Sequence, residues 1–202
     1  MKLAIPEKIE TARLFLRPLR YEDAEEIFYV YASKHEATRY VSWSMHQTIE
    51  DTRAFLKDSI TGWEKGNEYS YGIRKKENGR FIGTFGVLND LGKLQFGYVF
   101  GPLHWGNGYA TEVCQVMMKI LAGVPEVYRI GTFVDSENVA STKVLLKSGL
   151  VEEARLSGWF RFINQGNLAK DCIFFRLPQG ETFSGSQIPT KVKASDLTKP
   201  GS

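Results

Sequence analysis

The sequence predicts a mixed α/β (α+β) fold with a central, largely antiparallel sheet flanked by about four helices. Three observations carry that expectation. The middle of the chain alternates apolar and polar residues in three runs separated by turn-forming segments, Glu77-Asn78-Gly79 and Asn89-Asp90-Leu91-Gly92. Blocks with helical spacing of apolar residues precede and follow those runs. One strand passes through a glycine-rich turn directly into an amphipathic helix, at residues 98–112.

Taken in order, Arg13 to Arg17 alternates and stops at Pro18, which reads as a half-buried strand ended by a residue without an N–H. A first helix follows, with Ala24, Ile27, Phe28 and Tyr31 at i, i+3, i+4 and i+7 and acidic residues early, where carboxylates favour a helix start. Thr48 and Asp51 form a capping-box pattern ahead of a second helix carrying Phe55, Leu56 and Trp63. The aromatic segment 39–43 between these helices either covers a pocket or, the better reading, plugs the space between them.

Strands are expected at 68–74, 80–88 and 94–100, as an antiparallel meander. A helix at 110–121 shows Ala110, Val113, Met117 and Leu121 on one face. A strand at 129–134, a short helix at 138–147 closed by Gly149, and a hairpin of strands 155–163 and 170–177 complete the pattern. Residues 1–178 are expected to form a single domain. Residues 179–202 mix Gly, Ser, Thr, Pro and Lys with no period and read as a flexible or surface-bound C-terminal tail.

Composition narrows the function classes. A 202-residue chain fits one domain, and 13 Phe, 9 Tyr and 4 Trp supply a large core. The net charge of +3 makes no electrostatic case for nucleic acid or membrane partners. The N-terminal residues lack a signal-peptide apolar core and no apolar run reaches membrane-spanning length, so a cytoplasmic location is the default expectation. Cys114 and Cys172 each sit in an apolar stretch and read as reduced, buried thiols. Neither metal-ligand spacing nor a Gly-x-Ser-x-Gly elbow is found, so no metal is expected.

The chemistry concentrates in Trp105-Gly106-Asn107-Gly108-Tyr109-Ala110-Thr111. Glycines admit a ligand close to the backbone, and the first N–H groups of a helix point outward unsatisfied with the positive dipole end behind them. A diphosphate suits such a turn. The Walker A pattern is excluded by the missing Gly-Lys-Ser/Thr ending. The dinucleotide fingerprint is a poor second reading, since Thr111 stands at its third glycine and the turn follows a meander rather than opening a parallel unit.

This loop resembles the pyrophosphate loop of the GNAT acetyltransferase superfamily, Gln/Arg-x-x-Gly-x-Gly/Ala, except for Trp105 in first place. With Trp there, the stretch through Glu112 is similar to the branch of ribosomal-protein alanine/serine N-acetyltransferases (RimJ/RimL-like). Glu10-Thr11-x-Arg13-Leu14-x-Leu16-Arg17-Pro18-Leu19 with Asp23-Ala24, Asp135-x-x-Asn138-x-x-Ser141 and Lys147-Ser148-Gly149-Leu150 extend the resemblance over most of residues 10–177. It implies a GNAT-like sheet that splays between the strands ending at Phe100 and Val134. Acetyl-CoA as acetyl donor would hold there, with Tyr98, Val99 and Phe100 on its pantetheine arm and residues 106–111 on its pyrophosphate.

The resemblance also distributes roles. A backbone N–H at Val99 or Phe100 would serve the oxyanion, and Ser141 would supply the proton taken by the departing thiolate. From the residues alone Asn138 and Ser141 read as helix cap and helix-surface hydroxyl; the resemblance makes Asn138 a cofactor contact. Related proteins carry Glu where this chain has Gln95, which cannot act as base; Glu152 and Glu153 are further carboxylates but read as a solvated turn. Glu112 is expected to stabilise the turn, and His104 receives no role. Tyr40, Trp43, Tyr71 and Phe160 are the expected lining of the substrate pocket.

The expected activity is N-acetyl transfer to a primary amine, either a protein N-terminal α-amine such as that of a ribosomal protein or a small molecule such as an amino acid or antibiotic. A non-catalytic CoA-binding module is the alternative from another class, raised by Gln95. Monomer and homodimer are both compatible with the sequence.

Overall fold

The computed structural model describes residues 2–178; the tail expected at 179–202 lies outside the described residues. Eight strands make one sheet: β1 (Ile9–Glu10), β2 (Leu14–Pro18), β3 (Glu68–Lys75), β4 (Phe81–Asp90), β5 (Lys93–Phe100), β6 (Arg129–Asp135), β7 (Val151–Arg161) and β8 (Ala169–Arg176). Five α-helical segments accompany them: α1 (Ala24–Ile27), α2 (His35–Thr38), α3 (Ile49–Lys65), α4 (Tyr109–Ala122) and α5 (Val139–Lys147). Strand order is β1-β2-β3-β4-β5-β6-β8-β7, and every neighbouring pair is antiparallel except β5 with β6.

Local signals account for most of these elements. Thr48 caps α3 by accepting from Asp51 N, and the Asp51 side chain answers to the Thr48 backbone, so the capping box forms. The expected first helix is broken into a 3-10 turn at Tyr21–Asp23, α1, and a π-helical turn at Phe28–Ala32. Ser33 explains the widening: its N–H and its hydroxyl both donate to Phe28 O, five residues back. The wider turn keeps Tyr31 in the core, where its hydroxyl accepts from Thr84 Oγ1 at 3.0 Å.

Two clusters hold the layers together. On one face of the sheet Leu14, Leu16, Ile73, Phe85, Val87, Leu94 and Phe96 pack with Val113, Met117 and Leu121 of α4. Burying each such side chain contributes about 1.5–3 kcal/mol, so tertiary packing more than helix propensity fixes α4. A smaller cluster joins Leu19, Ile27, Tyr31, Leu56 and Phe81.

The expected splay is present and its limits are sharp. β5 and β6 pair only at Lys93↔Arg129, Leu94↔Ile130 and Gln95↔Gly131. One step on, Thr132 Oγ1 donates to Phe96 O at 2.7 Å, a side chain standing in for the next ladder bond. Beyond it the strands part, with β4 still paired to β5 as far as Phe100 and β8 still paired to β6 as far as Asp135.

Candidate active site

The turn between β5 and α4 is organised by its own side chains. Trp105 Nε1 donates to Phe100 O at 2.8 Å, and Asn107 Nδ2 donates to His104 O and Trp105 O at 3.2 and 2.9 Å. Gly106 and Gly108 have φ of +76° and +77°, a left-handed backbone that branched residues avoid. The first amide of α4 bonded within the helix is Glu112 N, to Gly108 O at 3.0 Å. No described residue accepts from the amides of Gly106, Asn107, Gly108, Tyr109, Ala110 or Thr111. Six consecutive donors at the positive end of a 14-residue helix form a cradle whose chemistry fits a diphosphate.

Glu112 braces this cradle from behind. Its carboxylate accepts from Thr11 Oγ1 at 2.6 Å, from Arg13 N at 2.8 Å and from Arg13 Nε at 2.7 Å, while Arg13 Nη1 reaches Asn107 O at 3.0 Å. Burial pushes the Glu112 carboxyl up, but Thr11 and Arg13 outweigh it and hold it below the usual carboxylate range. The Arg13 guanidinium also covers the Tyr109 ring at 4.6 Å. The sequence presented Arg13 as a strand residue and contained no sign that it supports the loop.

At the opening, strand alternation decides which backbone groups are available. Gly101 N donates to Ile82 O, so Gly101 and, two residues back, Val99 turn their polar groups toward β4. A Cβ on Gly83 would come within 2.3 Å of Val99 O, as that orientation requires. Phe96, whose carbonyl meets Thr132 of β6, belongs to the opposite set with Tyr98 and Phe100. The Tyr98 backbone groups and the Phe100 N–H thus face the opening, while Phe100 O is taken by Trp105 Nε1. Of the two expected oxyanion donors, the Val99 N–H is removed because it belongs to the β4 ladder.

The second half of the site is α5. Asn138 Oδ1 accepts from Ser141 N at 3.1 Å, so its side chain caps the helix. Ser141, in the first turn, lies beside the Tyr98 hydroxyl. That hydroxyl is buried and pushed well above its ordinary pKa by burial, with Cys114 adding to the effect and Ser141 offsetting part of it. The two hydroxyls are not in hydrogen-bond alignment, and Tyr98 Oη has no partner among the described residues.

On the opposite side, Asn164 in the turn between β7 and β8 clamps the aromatic segment. Its Nδ2 donates to Thr38 O at 2.7 Å and Trp43 O at 2.9 Å, and its Oδ1 accepts from Met45 N at 3.0 Å. Gln165 Nε2 donates to Asp135 Oδ2 at 2.8 Å, tying the same turn to the end of β6. Trp43 packs on Tyr31 and His46, Phe160 on Phe133 and Phe162, and Tyr40 lies half-buried under the Arg39 guanidinium. Tyr71 departs from expectation: it is fully buried, packed on Trp63, with its hydroxyl donating to Pro6 O, so it is a core residue and lines no open pocket.

The remaining carboxylate candidates stand away from the opening. Glu152 and Glu153 begin β7 beside Arg176, whose ladder partner Gly131 is the last residue before the splay on β6. Glu153 is held low by hydrogen bonds from Arg129, with Arg176 close by, and Glu152 by Arg155. Gln95 pairs with Gly131 at the last ladder position. His104 is buried and its pKa lowered, first by burial and then by Lys75, Arg80 and Lys34.

The comparisons with known proteins agree with this geometry. A family model described as "Acetyltransferase (GNAT) domain" matches residues 13–151. An uncharacterized N-acetyltransferase of Bacillus subtilis (strain 168), YoaA, is 31% identical over 151 residues, covering 73% of this chain and 85% of that protein. Mycobacterium smegmatis RimJ in complex with CoA-disulfide has a TM-score of 0.77 at 19% identity, covering 88% of this chain and 90% of that one. Spermidine N-acetyltransferase from Vibrio cholerae, in complex with CoA and spermine, has a TM-score of 0.70 at 18% identity, covering 82% and 95%. At such identities the likeness to these two solved structures is one of fold. Among the described residues no helix is long and apolar enough to cross a membrane. By the family match across most of its length and by its relative at 31% identity, this chain belongs to the GNAT family and is an N-acetyltransferase.

Proposed function

We propose that the chain transfers an acetyl group from acetyl-CoA to a primary amine, with a protein N-terminal α-amine as the first acceptor class to test. The observation that carries the donor assignment is the run of six unaccepted amides, Gly106 to Thr111, beside a sheet opening faced by the Tyr98 backbone groups and the Phe100 N–H. Acetyl-CoA supplies the activated acyl thioester. The amides of residues 106–111 hold its diphosphate, and the Tyr98 backbone groups replace, for the pantetheine arm, the strand partner that β6 withdraws. Asn138 reaches the same region only with the part of its amide not used as a cap.

The Phe100 N–H is the donor aimed at the carbonyl oxygen as charge develops on it. Ser141 Oγ–H gives its proton to the departing sulfur and is reprotonated from solvent. Gln95 cannot take the amine proton, so that proton leaves through water. Holding amine and thioester in line supplies much of the rate enhancement without a dedicated base.

The acceptor reading rests on the resemblance of the loop from Trp105 to Glu112 to the ribosomal-protein N-terminal acetyltransferases. Small amines are the second reading, because the spermidine enzyme shares the fold and function follows the site rather than the scaffold. The test is release of free CoA from acetyl-CoA with peptides bearing N-terminal Ala or Ser, polyamines, amino acids and aminoglycosides. Turnover confined to the peptides is expected. Turnover of small amines alone would overturn the acceptor class, and CoA binding without turnover on any amine would overturn the donor reaction.

A further inference from the structure

Among the described residues, two buried side-chain oxygens have no hydrogen-bond partner, Tyr98 Oη and Thr142 Oγ1. They belong to the two elements that flank the sheet opening. Tyr98 projects from β5 three residues past the last β5–β6 pair, and Thr142 follows Ser141 in α5. Leaving a buried hydroxyl unpaired is destabilising, and phenylalanine would fill nearly the same volume without that cost. The rest of the Tyr98 side chain is conventional packing, edge-on to Phe100 at 6.2 Å. Its hydroxyl alone lacks a structural explanation among the described residues.

Resting on the acetyl-transfer reading above, we propose that Tyr98 is a positioning residue whose hydroxyl engages Ser141 when the opening is filled. Donation from Tyr98 Oη–H to Ser141 Oγ uses a lone pair of the serine and turns the serine's own O–H away from Tyr98, toward the opening. The two side chains come from β5, one strand of the opening, and from α5, the helix that follows β6, the other, so a molecule seated between those strands bears on how the two hydroxyls align. Cys114 of α4, itself buried and with its thiol pushed up by burial, also acts on the Tyr98 hydroxyl, and Ser141 is the polar side chain that offsets the effect of burial there. No proton leaves Tyr98 in this arrangement; the proton delivered to sulfur is the serine's.

Tyr98→Phe, Ser141→Ala and the double variant test this in the full chain, with acetyl-CoA and whichever amine turns over in the wild type. Tyr98→Phe should leave the Tm of the free protein unchanged or raise it, since the lost hydroxyl had no partner. Its CoA-induced rise in Tm should be smaller than that of the wild type, and kcat should fall roughly tenfold, with the KM for acetyl-CoA changed by less than about threefold. The double variant should be no slower than Ser141→Ala alone. An undiminished CoA-induced Tm rise with unchanged kcat, or losses that multiply in the double variant, would overturn the proposal. A wild type that neither gains Tm with CoA nor turns over would instead overturn the acetyl-transfer reading.

Discussion

Glu112 in the first turn of α4 binds both the backbone amide and the guanidinium of Arg13, at 2.8 and 2.7 Å, across 99 residues of sequence. Since Arg13 also holds Asn107 O, one carboxylate fixes both the head of the helix and the glycine turn before it. Glu112→Ala should strand the Arg13 amide and leave the Thr11 hydroxyl only its longer bond to Leu14 O, at 3.3 Å. The half-exposed guanidinium is screened by solvent, so the loss of stability should be about 1–2 kcal/mol. Calorimetry gives the stability, and titration with CoA should show affinity falling as well; unchanged affinity would mean that the turn holds its shape without the brace.

Gly108 combines a φ of +77° with open surroundings, the nearest atom to an added Cβ being Arg13 Nη2 at 3.6 Å. Gly108→Val should therefore fold, at a cost of about 1–2 kcal/mol of backbone strain. Its branched side chain would stand among the unaccepted amides and abolish the rise in Tm on adding CoA. Gly149→Val is the control, with φ of +87° and nothing within 4 Å of its Cβ, at the far end of α5 from Asn138. Loss of the CoA response in both variants would assign the effect to strain and not to the cradle.

Asn164→Ala should release the segment 38–45, leaving Met45 N and Trp43 O without the partner Asn164 supplies and Thr38 O with Val41 N alone. The expected cost is about 1–3 kcal/mol. Because the clamp's partners lie in and beside the aromatic segment and not in the diphosphate cradle, the KM for the amine should rise several-fold while the KM for acetyl-CoA holds. Equal changes in both would show that the clamp supports the whole fold and not one side of the site.

Asp23 is buried and accepts from Arg17, Arg20 N and Arg74. Burial raises its pKa, but the arginines and the Arg20 amide outweigh that and hold it below the ordinary aspartate value. A carboxyl that binds protons less readily when folded contributes stability that is complete above its unfolded pKa, roughly 3.9, and lost as pH falls through the lower folded value. Asp23→Asn should cost about 2–3 kcal/mol at pH 7, less than the ~3–5 kcal/mol of a fully enclosed pair because Arg17 and Arg74 keep some solvent contact. The gap in Tm between variant and wild type should narrow below about pH 4; a gap independent of pH would mean that charge is not what Asp23 contributes.

The features legible from residue spacing were local: the capping box at Thr48 and Asp51, the meander turns, the amphipathic face of α4, and the glycine turn whose left-handed backbone frees six amides. Each depends on residues within a few positions of one another, so spacing suffices to read it. Tertiary structure decided the rest. The insertion of β8 between β6 and β7 reorders strands along the sheet, and the brace from Glu112 to Arg13 and the clamp from Asn164 to Trp43 join residues 99 and 121 positions apart; no local propensity encodes such partners. Tyr71 shows the converse: an aromatic that reads as a pocket wall in sequence is core here, because strand alternation turns it toward Trp63. Which backbone amide faces the opening, Phe100 and not Val99, was likewise settled by the ladder to β4, a parity that exists only once strands are paired.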